Sequence, residues 1–375
     1  MNYPLVRLDE CARIVSGATP STNDTEFWGG DILWATPADL SELDSPFIAQ
    51  TPRTITPAGL ANCAAEVLPA NSVLFSSRAP IGHVAINTAP MATNQGFKSF
   101  VPAPTRLNAQ YLYHWLRANS EYLKSLGNGA TFKEVSKAIV SRIEIPLPPI
   151  DEQRRIAAIL DQADDLRRKR RESLDILSTL PTGVFRAMFG DPRQNNFGLP
   201  IRPLGEIVEN QDSLRVPVKA ADRNLTAGKY PYYGASGIID YVESFLFEGE
   251  RLLVGEDGAN LLARSSPIAF RASGRFWVNN HAHVLADSGA ANLTYLEHHF
   301  AQIDLSPSVT GTAQPKLTRA SLDRLPFLYP ARERQDAFSA HIEKIDTLKT
   351  YHRAHLAKLD ALFASLQHRA FRGEL

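Results

Sequence analysis

One long segment of this chain occurs twice, and its two copies align without a gap. Residues 150–189 return as residues 332–371. Gln153 then corresponds to Gln335 and Leu177 to Leu359, a shift of 182 residues (from 153 to 335). This period is far too long for a solenoid, whose repeat units span roughly 20–50 residues. The repeat predicts two copies of a whole domain plus a helix, related by a pseudo-dyad and carrying two related binding surfaces.

Both copies have mainly apolar residues spaced alternately three and four positions apart, the pattern of a coiled-coil seam. The first copy gives Ile156, Ile159, Ala163, Leu166, Arg170, Ser173, Leu177, Leu180 and Val184, and the second gives Phe338, His341, Ile345, Leu348, His352, His355, Leu359, Leu362 and Leu366. The second domain must leave the end of the first helix and deliver the chain to the start of the second. A helix of roughly 35 residues is about 50 Å long, so an antiparallel pair is favoured.

The register of this helix pair follows from polarity. When the numbers of facing residues sum to 525, apolar residues face each other along the seam, as in the pairs Leu166–Leu359, Leu177–Leu348, Leu180–Ile345 and Ala163–Leu362. The polar residues then form one layer, with Arg170 opposite His355 and Ser173 opposite His352. A single polar layer can fix the register at some cost in stability. We therefore expect this pairing at the middle of the seam.

Two local features of the first helix carry separate expectations. Pro181 is expected to kink or break it, because proline removes a backbone donor and clashes with the preceding turn. The basic run at residues 167–171 (RRKRR) favours a solvated helix face, since acidic residues surround it, and contact with a partner subunit or with phosphate is the alternative. Its pattern alone does not indicate a DNA-binding stripe.

The rest of the chain predicts two domains of mixed α/β character. Short apolar runs between Gly, Pro and Asn turns indicate strands, and residues 111–126 and 295–303 indicate helices. The predicted fold is α+β, with two mixed domains separated by a long antiparallel two-helix coiled coil. Its parts are domain 1 at 1–150, helix 1 at 151–189, a linker at 190–198, domain 2 at 199–331 and helix 2 at 332–375.

Composition excludes several classes of protein. The hydrophobic content of 44% is sufficient for real cores, and no apolar run reaches the 18 residues or more of a membrane span. The start of the chain lacks the features of a signal peptide, so the cytoplasm is the expected compartment. Cys11 and Cys63 provide neither a disulfide framework nor a metal site. The formal net charge of +0 means that any nucleic-acid surface must be local.

The motifs of an enzyme are missing from the sequence. No Asn/Asp-Pro-Pro-aromatic loop, phosphate-binding loop, zinc spacing, nucleophile elbow or nuclease core occurs. Two histidine pairs, His281 with His283 and His298 with His299, are candidate metal ligands, but hydrogen-bonded structural histidines are the commoner outcome. We therefore expect no catalytic residues and no metal site.

Several segments resemble a known family closely. Residues 145–160 (IPLPPIDEQRRIAAIL) and 362–375 (LFASLQHRAFRGEL) are similar to helical regions of the specificity subunits of type I restriction–modification systems. Domain 1 resembles one recognition-domain subtype at 16–20, 27–34, 76–82 and 93–96, and domain 2 another at 230–237, 255–258 and 276–283. The second helical signature departs from the family pattern, because RERQ at 332–335 replaces the Pro-Pro-x-x-Glu-Gln form.

The resemblance implies a DNA-binding subunit without activity of its own. Each target-recognition domain would recognise one half of a bipartite, asymmetric target in double-stranded DNA, and the coiled coil would set the spacer. Two methyltransferase subunits would dock on the helices with S-adenosylmethionine and adenine-N6 chemistry. A motor-nuclease subunit would supply ATP- and Mg-dependent translocation and cleavage in phage defence. No cofactor is expected in this chain.

Candidate DNA contacts follow from chemistry, because arginine matches guanine and the amides match adenine at base edges. In domain 1 the candidates are Ser76, Ser77, Arg78, Asn94, Gln95 and Lys133. In domain 2 they are Tyr233, Ser236, Glu256, Asp257, Asn279, Asn280, Gln314 and Lys316. For each, a structural role in a turn or cap is the alternative. The glycine-containing segments 129–131 and 311–313, matched by the repeat, are candidates for backbone facing phosphate.

Two other functions compete with this interpretation. A self-contained modification or nuclease enzyme is disfavoured by the missing motifs. A coiled-coil scaffold, or the specificity module of a related DNA-modification or phage-defence system, is the alternative that sequence-selective DNA binding would test.

Overall fold

The chain divides into two compact units. Unit 1 comprises Met1–Glu172 and Ala354–Leu375, and unit 2 comprises Ser173–Arg353. The computed structural model describes residues 3–78, 80–128, 133–218, 228–311 and 314–375. The predicted phosphate-facing segments, 129–131 and all but Gly311 of 311–313, lie outside the described residues.

Unit 1 is a mixed α/β domain. Its strands are β1 Leu5–Arg7, β2 Ala12–Ser16, β3 Trp28–Ala35, β4 Phe47–Ile48, β5 Thr54–Ile55, β6 Val73–Phe75, β7 Val84–Asn87, β8 Met91–Thr93, β9 Lys98–Pro102 and β10 Glu144–Pro146. Its short helices are α1 Leu8–Cys11, α2 Pro37–Ser41, α3 Pro57–Asn62, α4 Ala109–Ala118, α5 Ser120–Ser125 and α6 Lys137–Ser141. In the described part, the sheet orders are β2-β9-β6-β7-β4, β5-β3-β8 and β1-β10.

Unit 2 has the same character. Its strands are β11 Ile201–Pro203, β12 Val208–Asn210, β13 Tyr230–Gly234, β14 Gly237–Val242, β15 Phe247–Glu248, β16 Arg251–Gly255, β17 Ala269–Ala272, β18 Arg275–Val278, β19 Ala282–Asp287 and β20 Pro326–Leu328. Its short helices are α8 Asn260–Ala263, α9 Leu293–Phe300 and α10 Arg319–Asp323. The described strands form sheets in the orders β12-β19-β16-β17, β14-β13-β18-β15 and β11-β20.

Two long helices, α7 Ile150–Phe189 and α11 Arg332–Ala370, confirm the predicted helical repeat. They are antiparallel within each unit. In unit 1, Arg167 Nε lies 2.7 Å from Asp360 Oδ1, and in unit 2 the Phe185 and Phe338 rings lie 5.5 Å apart. The predicted register sets Arg167 opposite Lys358 and Phe185 opposite Ala340. The observed partner Asp360 lies two positions after Lys358, and Phe338 lies two positions before Ala340. The polar layer between these contacts stays a prediction.

The predicted seam is wrong at some positions. Leu362 is half exposed and His341 is exposed, while the neighbouring Phe363 and Ile342 are buried. The helix ends pack against the cores of their units as well as against each other, which moves the buried face by one residue. Heptad spacing describes only the contact between two helices, so it could not reveal this additional packing.

α7 continues through Pro181, so a break at this proline is wrong, while a kink there stays a prediction. Pro181 is buried, and the residues after it anchor the last turns of the helix. Phe185 and Phe189 have no exposed surface, and both rings pack on Phe338 and Tyr295. A proline inside a helix costs about 3 kcal/mol. Burial of two phenylalanines, at about 1.5–3 kcal/mol each, offsets this cost.

The basic run forms ion pairs along the helix surface, as expected for a solvated face. Arg168 pairs with Glu172 and Lys169 with Asp165 at the surface, whereas Arg167, with only 15% of its side chain exposed, pairs with Asp164 and packs over the Phe363 ring. Such surface pairs contribute little to stability, typically about 0–1 kcal/mol. No helix in the described residues is both long and apolar enough to cross a membrane.

Matched hydrogen bonds in the two units confirm the duplication. In unit 1, the side chain of Gln153 accepts from Asn108 N at 2.9 Å and donates to Pro148 O at 2.9 Å. In unit 2, Gln335 accepts from Asn292 N and donates to Pro330 O, both at 2.8 Å. The second helical signature, RERQ at 332–335, departs from the family pattern but keeps Gln335, the glutamine that joins the helix to its domain.

Candidate nucleic-acid interface

Three loops of unit 1 meet and bring its predicted contact residues together. We call them loop cluster 1, formed by residues 76–78, 94–97 and 133–136. Ser77 N donates to Gly96 O at 2.8 Å, and Val135 N donates to Ser77 O at 2.9 Å. Arg78 and Glu134 form an antiparallel bridge. These backbone bonds link all three loops.

The members of loop cluster 1 differ in exposure. Ser76 and Ser77 are fully buried, and their hydroxyls donate to Pro80 O and Gly96 O. The structure therefore places these two hydroxyls in support of the loops, away from the surface where a base edge would be contacted. Gln95 and Lys133 are exposed, and Asn94 is half-buried with its side chain accepting from Gly96 N.

Unit 2 has an equivalent arrangement, loop cluster 2, formed by residues 255–258, 279–283 and 314–317. Glu256 N donates to His281 O at 2.9 Å, and Leu317 N donates to Glu256 O at 2.8 Å. Asp257 and Lys316 form an antiparallel bridge. Lys316 corresponds to Glu134, and Leu317 to Val135, by the shift of the repeat. The two units therefore share one loop architecture.

Charge is reversed between equivalent positions of the two clusters. In cluster 1, Glu134 pairs with Lys98 at 3.1 Å, whereas in cluster 2 Lys316 pairs with Glu256 at 3.2 Å. The bridge partners Arg78 and Asp257 are also opposite in charge. Similar backbones with opposite charges present different chemistry to whatever they bind.

The remaining candidates of unit 2 lie in or beside loop cluster 2. Asn280, Gln314 and Lys316 are exposed, and Ser236 is exposed at the turn between β13 and β14. Asn279 is buried, and its side chain accepts from His281 N at 2.8 Å. Tyr233 packs against Phe270 and Phe276, and burial, followed by the effect of Tyr241, raises the pKa of its hydroxyl.

Asp212 and Arg215 were not predicted from the sequence. Their side chains bond to residues of loop cluster 2 and to the strand that follows it. Arg215 Nη1 lies 2.7 Å from Glu256 Oε2 and donates to Ala282 O at 2.7 Å. Asp212 accepts from Val284 N at 2.8 Å and contacts His283 Nδ1 at 2.6 Å. Both residues follow β12 in a segment without a motif, so only the fold reveals them.

Asp212, Glu256 and His283 lie close enough together to hold a metal ion. The atoms of these three side chains that could bind a metal already contact other protein groups. His283 Nδ1 faces the Asp212 carboxylate and Nε2 faces Leu317 O at 2.8 Å, so both nitrogens face acceptors. Arg215 and Lys316 neutralise Glu256. The arrangement is therefore that of an ion-pair network.

The pKa values of the two carboxyl groups fit this network. Burial raises the pKa of Asp212, but the bonds from His283 and the Val284 amide outweigh it and lower the pKa below its usual value. Burial likewise raises the pKa of Glu256, and Arg215 together with His283 and Lys316 lowers it. Both groups are therefore ionised at neutral pH, as an ion-pair network requires.

The other histidines are also held by hydrogen bonds and packing. His281 Nδ1 lies 2.8 Å from Asp257 Oδ2. His299 is buried, and its Nε2 accepts from Leu328 N at 3.1 Å. His298 packs against the Phe338 ring at 5.3 Å. These contacts favour structural roles for both histidine pairs.

Comparison with known proteins connects this architecture to a family. The family model for the type I restriction modification DNA specificity domain matches residues 2–175 and 200–360. The MjaIX specificity subunit of Methanocaldococcus jannaschii is 28% identical and covers 92% of this chain and 87% of that protein. The EcoprrI specificity subunit of Escherichia coli is 25% identical and covers 91% and 87%.

Solved structures share the fold. The S subunit of a type I restriction-modification system from M. genitalium superposes with a TM-score of 0.64 at 14% identity and covers 99% of this chain and 96% of that chain. A chain from a structural study of type I complex assembly gives a TM-score of 0.62 at 17% identity, covering 100% and 98%. The duplicated family match, the relatives along nearly the whole chain and the shared fold show that this chain belongs to the family of type I restriction–modification DNA specificity subunits.

Proposed function

We propose that each unit recognises one half of a bipartite, asymmetric DNA target through its loop cluster. The observation that carries this proposal is the pair of clusters with equivalent backbone bonds but different side chains. Equivalent backbones provide two similar ways to approach DNA. Different side chains, with Arg78 and Glu134 matched against Asp257 and Lys316, make recognition of two different base sequences possible.

The exposed polar members of each cluster are the residues available for base edges. In cluster 1 these are Gln95 and Lys133, together with the half-buried Arg78; in cluster 2 they are Asn280, Gln314 and Lys316. The buried Ser76, Ser77 and Asn279 position the loops around them. Positive side chains would also contact phosphates, which strengthens binding to all sequences and makes it dependent on salt.

The two long helices are proposed to set the spacer and to dock two methyltransferase subunits. Several of their apolar side chains are about half exposed or more, which supports a role in binding a partner protein. They are Leu166 and Leu362 in unit 1 and Ile176, Leu348 and Tyr351 in unit 2. Relatives are named as specificity subunits of restriction enzymes, in keeping with this role.

Catalysis is assigned to the partners. S-adenosylmethionine and adenine-N6 methyl transfer would belong to the methyltransferase subunits, and ATP, Mg²⁺ and cleavage to a motor-nuclease subunit. The complex would act on double-stranded DNA in the cytoplasm. The names of the relatives, specificity subunits of type I restriction enzymes, support that division.

The test is to purify the chain alone and with a co-expressed methyltransferase. The complex should bind one bipartite duplex selectively and methylate one adenine on each strand, and the chain alone should transfer no methyl group and bind no S-adenosylmethionine. Methyl transfer by the isolated chain would contradict the assignment of catalysis. A coiled-coil scaffold would instead give a complex with no preference among duplexes.

A further inference from the structure

Arg53 lies outside both loop clusters and packs against two tryptophan rings. The Arg53 guanidinium carbon lies 4.3 Å from the centre of the Trp28 ring and 5.0 Å from that of Trp34. The two indoles meet edge to face at 5.0 Å and 86°. Contact with aromatic faces attracts a guanidinium electrostatically without using its N–H donors in hydrogen bonds to lone pairs, so those donors stay available to an acceptor.

The indoles themselves are fixed by the fold. Trp28 Nε1 donates to Ser21 O at 3.1 Å, and Trp34 Nε1 donates to Ala18 O at 3.0 Å. Trp34 is only 2% exposed. The platform under the exposed Arg53 is therefore rigid, so the guanidinium loses little freedom when it binds a ligand.

Arg53 also differs from most arginines of this unit in its partners. Arg7, Arg13 and Arg117 each pair with a carboxylate. Among the described residues, the Arg53 side chain contacts the two indoles and forms no ion pair. Its charge is consequently available to a ligand rather than neutralised within unit 1.

Sheet topology places Arg53 at the edge that carries loop cluster 1. It immediately precedes β5, which is antiparallel to β3, while β8 is parallel to β3. The start of β5 and the end of β8 therefore lie at the same end of the sheet. Asn94 and Gln95 directly follow β8. Two strand spacings, roughly 10 Å, separate these backbones. A long arginine side chain and a neighbouring amide can therefore contact adjacent base pairs.

Hydrogen bonds tie this platform to the cluster. Ala18, the acceptor for Trp34, donates its own N–H to Thr93 O at 2.9 Å, and Thr19 bonds Gln95. Gly17 permits this approach, because a Cβ there would lie 1.9 Å from Asn94 O. The Trp34 ring that contacts Arg53 is therefore linked through Ala18 and Thr19 to the loop containing Gln95.

We propose that Arg53 is a further specificity-determining residue, which recognises a guanine in the half-site of unit 1. A planar guanidinium donates two parallel hydrogen bonds to O6 and N7 of guanine in the major groove. The inference rests on the proposed function, since it requires that unit 1 recognises a half-site.

The experiment uses the full methyltransferase complex and duplexes in which each guanine of the target is replaced in turn by 7-deazaguanine, which lacks the N7 acceptor. In the wild type, one replacement in one half-site should weaken binding roughly tenfold. Arg53→Ala should lose roughly 5- to 100-fold of the preference for guanine at that position, and 7-deazaguanine there should then have no further effect. Arg53→Lys should lose most of the preference, because lysine lacks the planar fork.

Arg13→Ala is the matched control, an exposed arginine of the same unit whose charge is paired with Glu66. It should keep every preference of the wild type. If Arg53→Ala weakens all duplexes equally and lowers the salt slope by about one, Arg53 is a phosphate contact and the proposal is overturned. If Arg53→Ala changes only thermal stability, Arg53 serves only to pack against the indoles, and the proposal is again overturned. A wild type without half-site preferences would instead refute the proposed function.

Discussion

Replacing Gln335 by leucine should destabilise unit 2 by about 2–6 kcal/mol, although the two side chains are similar in size. Gln335 is fully buried and satisfies Asn292 N and Pro330 O at the start of α11. Leucine would leave both backbone groups without a partner, at about 1–3 kcal/mol each. Gln153→Leu should do the same to unit 1, where Asn108 N, Arg106 O and Pro148 O depend on it.

Hydrogen exchange followed by mass spectrometry measures the two units separately. Each variant should accelerate exchange first in its own unit. Gln162→Leu is the control, since Gln162 is exposed on α7 and its replacement should change stability by no more than about 0.5 kcal/mol. Equal effects of Gln162→Leu and Gln153→Leu would show that the buried amide is not what joins helix to domain.

Acid should destabilise unit 2 well before its carboxylates titrate. Burial lowers the pKa of His298 to about 4, with Arg271 and Lys349 adding to this and Asp346 opposing it. Burial lowers the pKa of His299 to about 3. Unfolded histidine titrates near pH 6.5, so the unfolded state binds more protons below that pH. The stability contributed by neutral histidines is therefore complete above about pH 6.5 and is lost as the pH falls towards the folded values.

The expected loss between pH 7 and pH 5 is roughly 2 kcal/mol for each histidine, about 4 kcal/mol together. Urea denaturation at pH 7, 6 and 5, combined with hydrogen exchange, measures it. His298→Gln should remove about half of the pH dependence, while the exposed His368 of unit 1 should be replaceable by glutamine without effect on it. A stability of unit 2 that is constant between pH 7 and pH 5 would contradict the buried, neutral state of both histidines.

The repeat predicted most of the fold because it is a property of the sequence itself. A constant shift identified the two long helices and the matched Gln153 and Gln335, and the length of the helices together with the chain connectivity predicted their antiparallel sense. Heptad spacing was less reliable at the helix ends, where Ile342 and Phe363 take the buried positions. Ile342 and Phe363 pack on a domain core as well as on the other long helix, and heptad spacing describes only the contact between the helices.

The candidate site was only partly predictable. The motifs indicated loops that lie apart in the sequence, and long-range backbone bonds bring those loops together as two clusters. Exposure separated their members, since Ser76 and Ser77 turned out to be buried while Lys133 and Lys316 are exposed. The supporting Arg215 belongs to no motif, because its role depends on contact with Glu256, 41 positions away.

The division of recognition between the two units is the central claim, and a panel of single-base variants of the target tests it directly. Binding of the methyltransferase complex would be measured for the wild type, Arg78→Ala and Lys316→Ala at two salt concentrations. Arg78→Ala should relax discrimination in one half-site and Lys316→Ala in the other, each by roughly 1–3 kcal/mol at its own base pair. Arg154→Ala, an exposed residue of α7 paired with Asp151, should change neither. The account would be contradicted if both variants weakened all duplexes evenly, or if both acted on the same half-site.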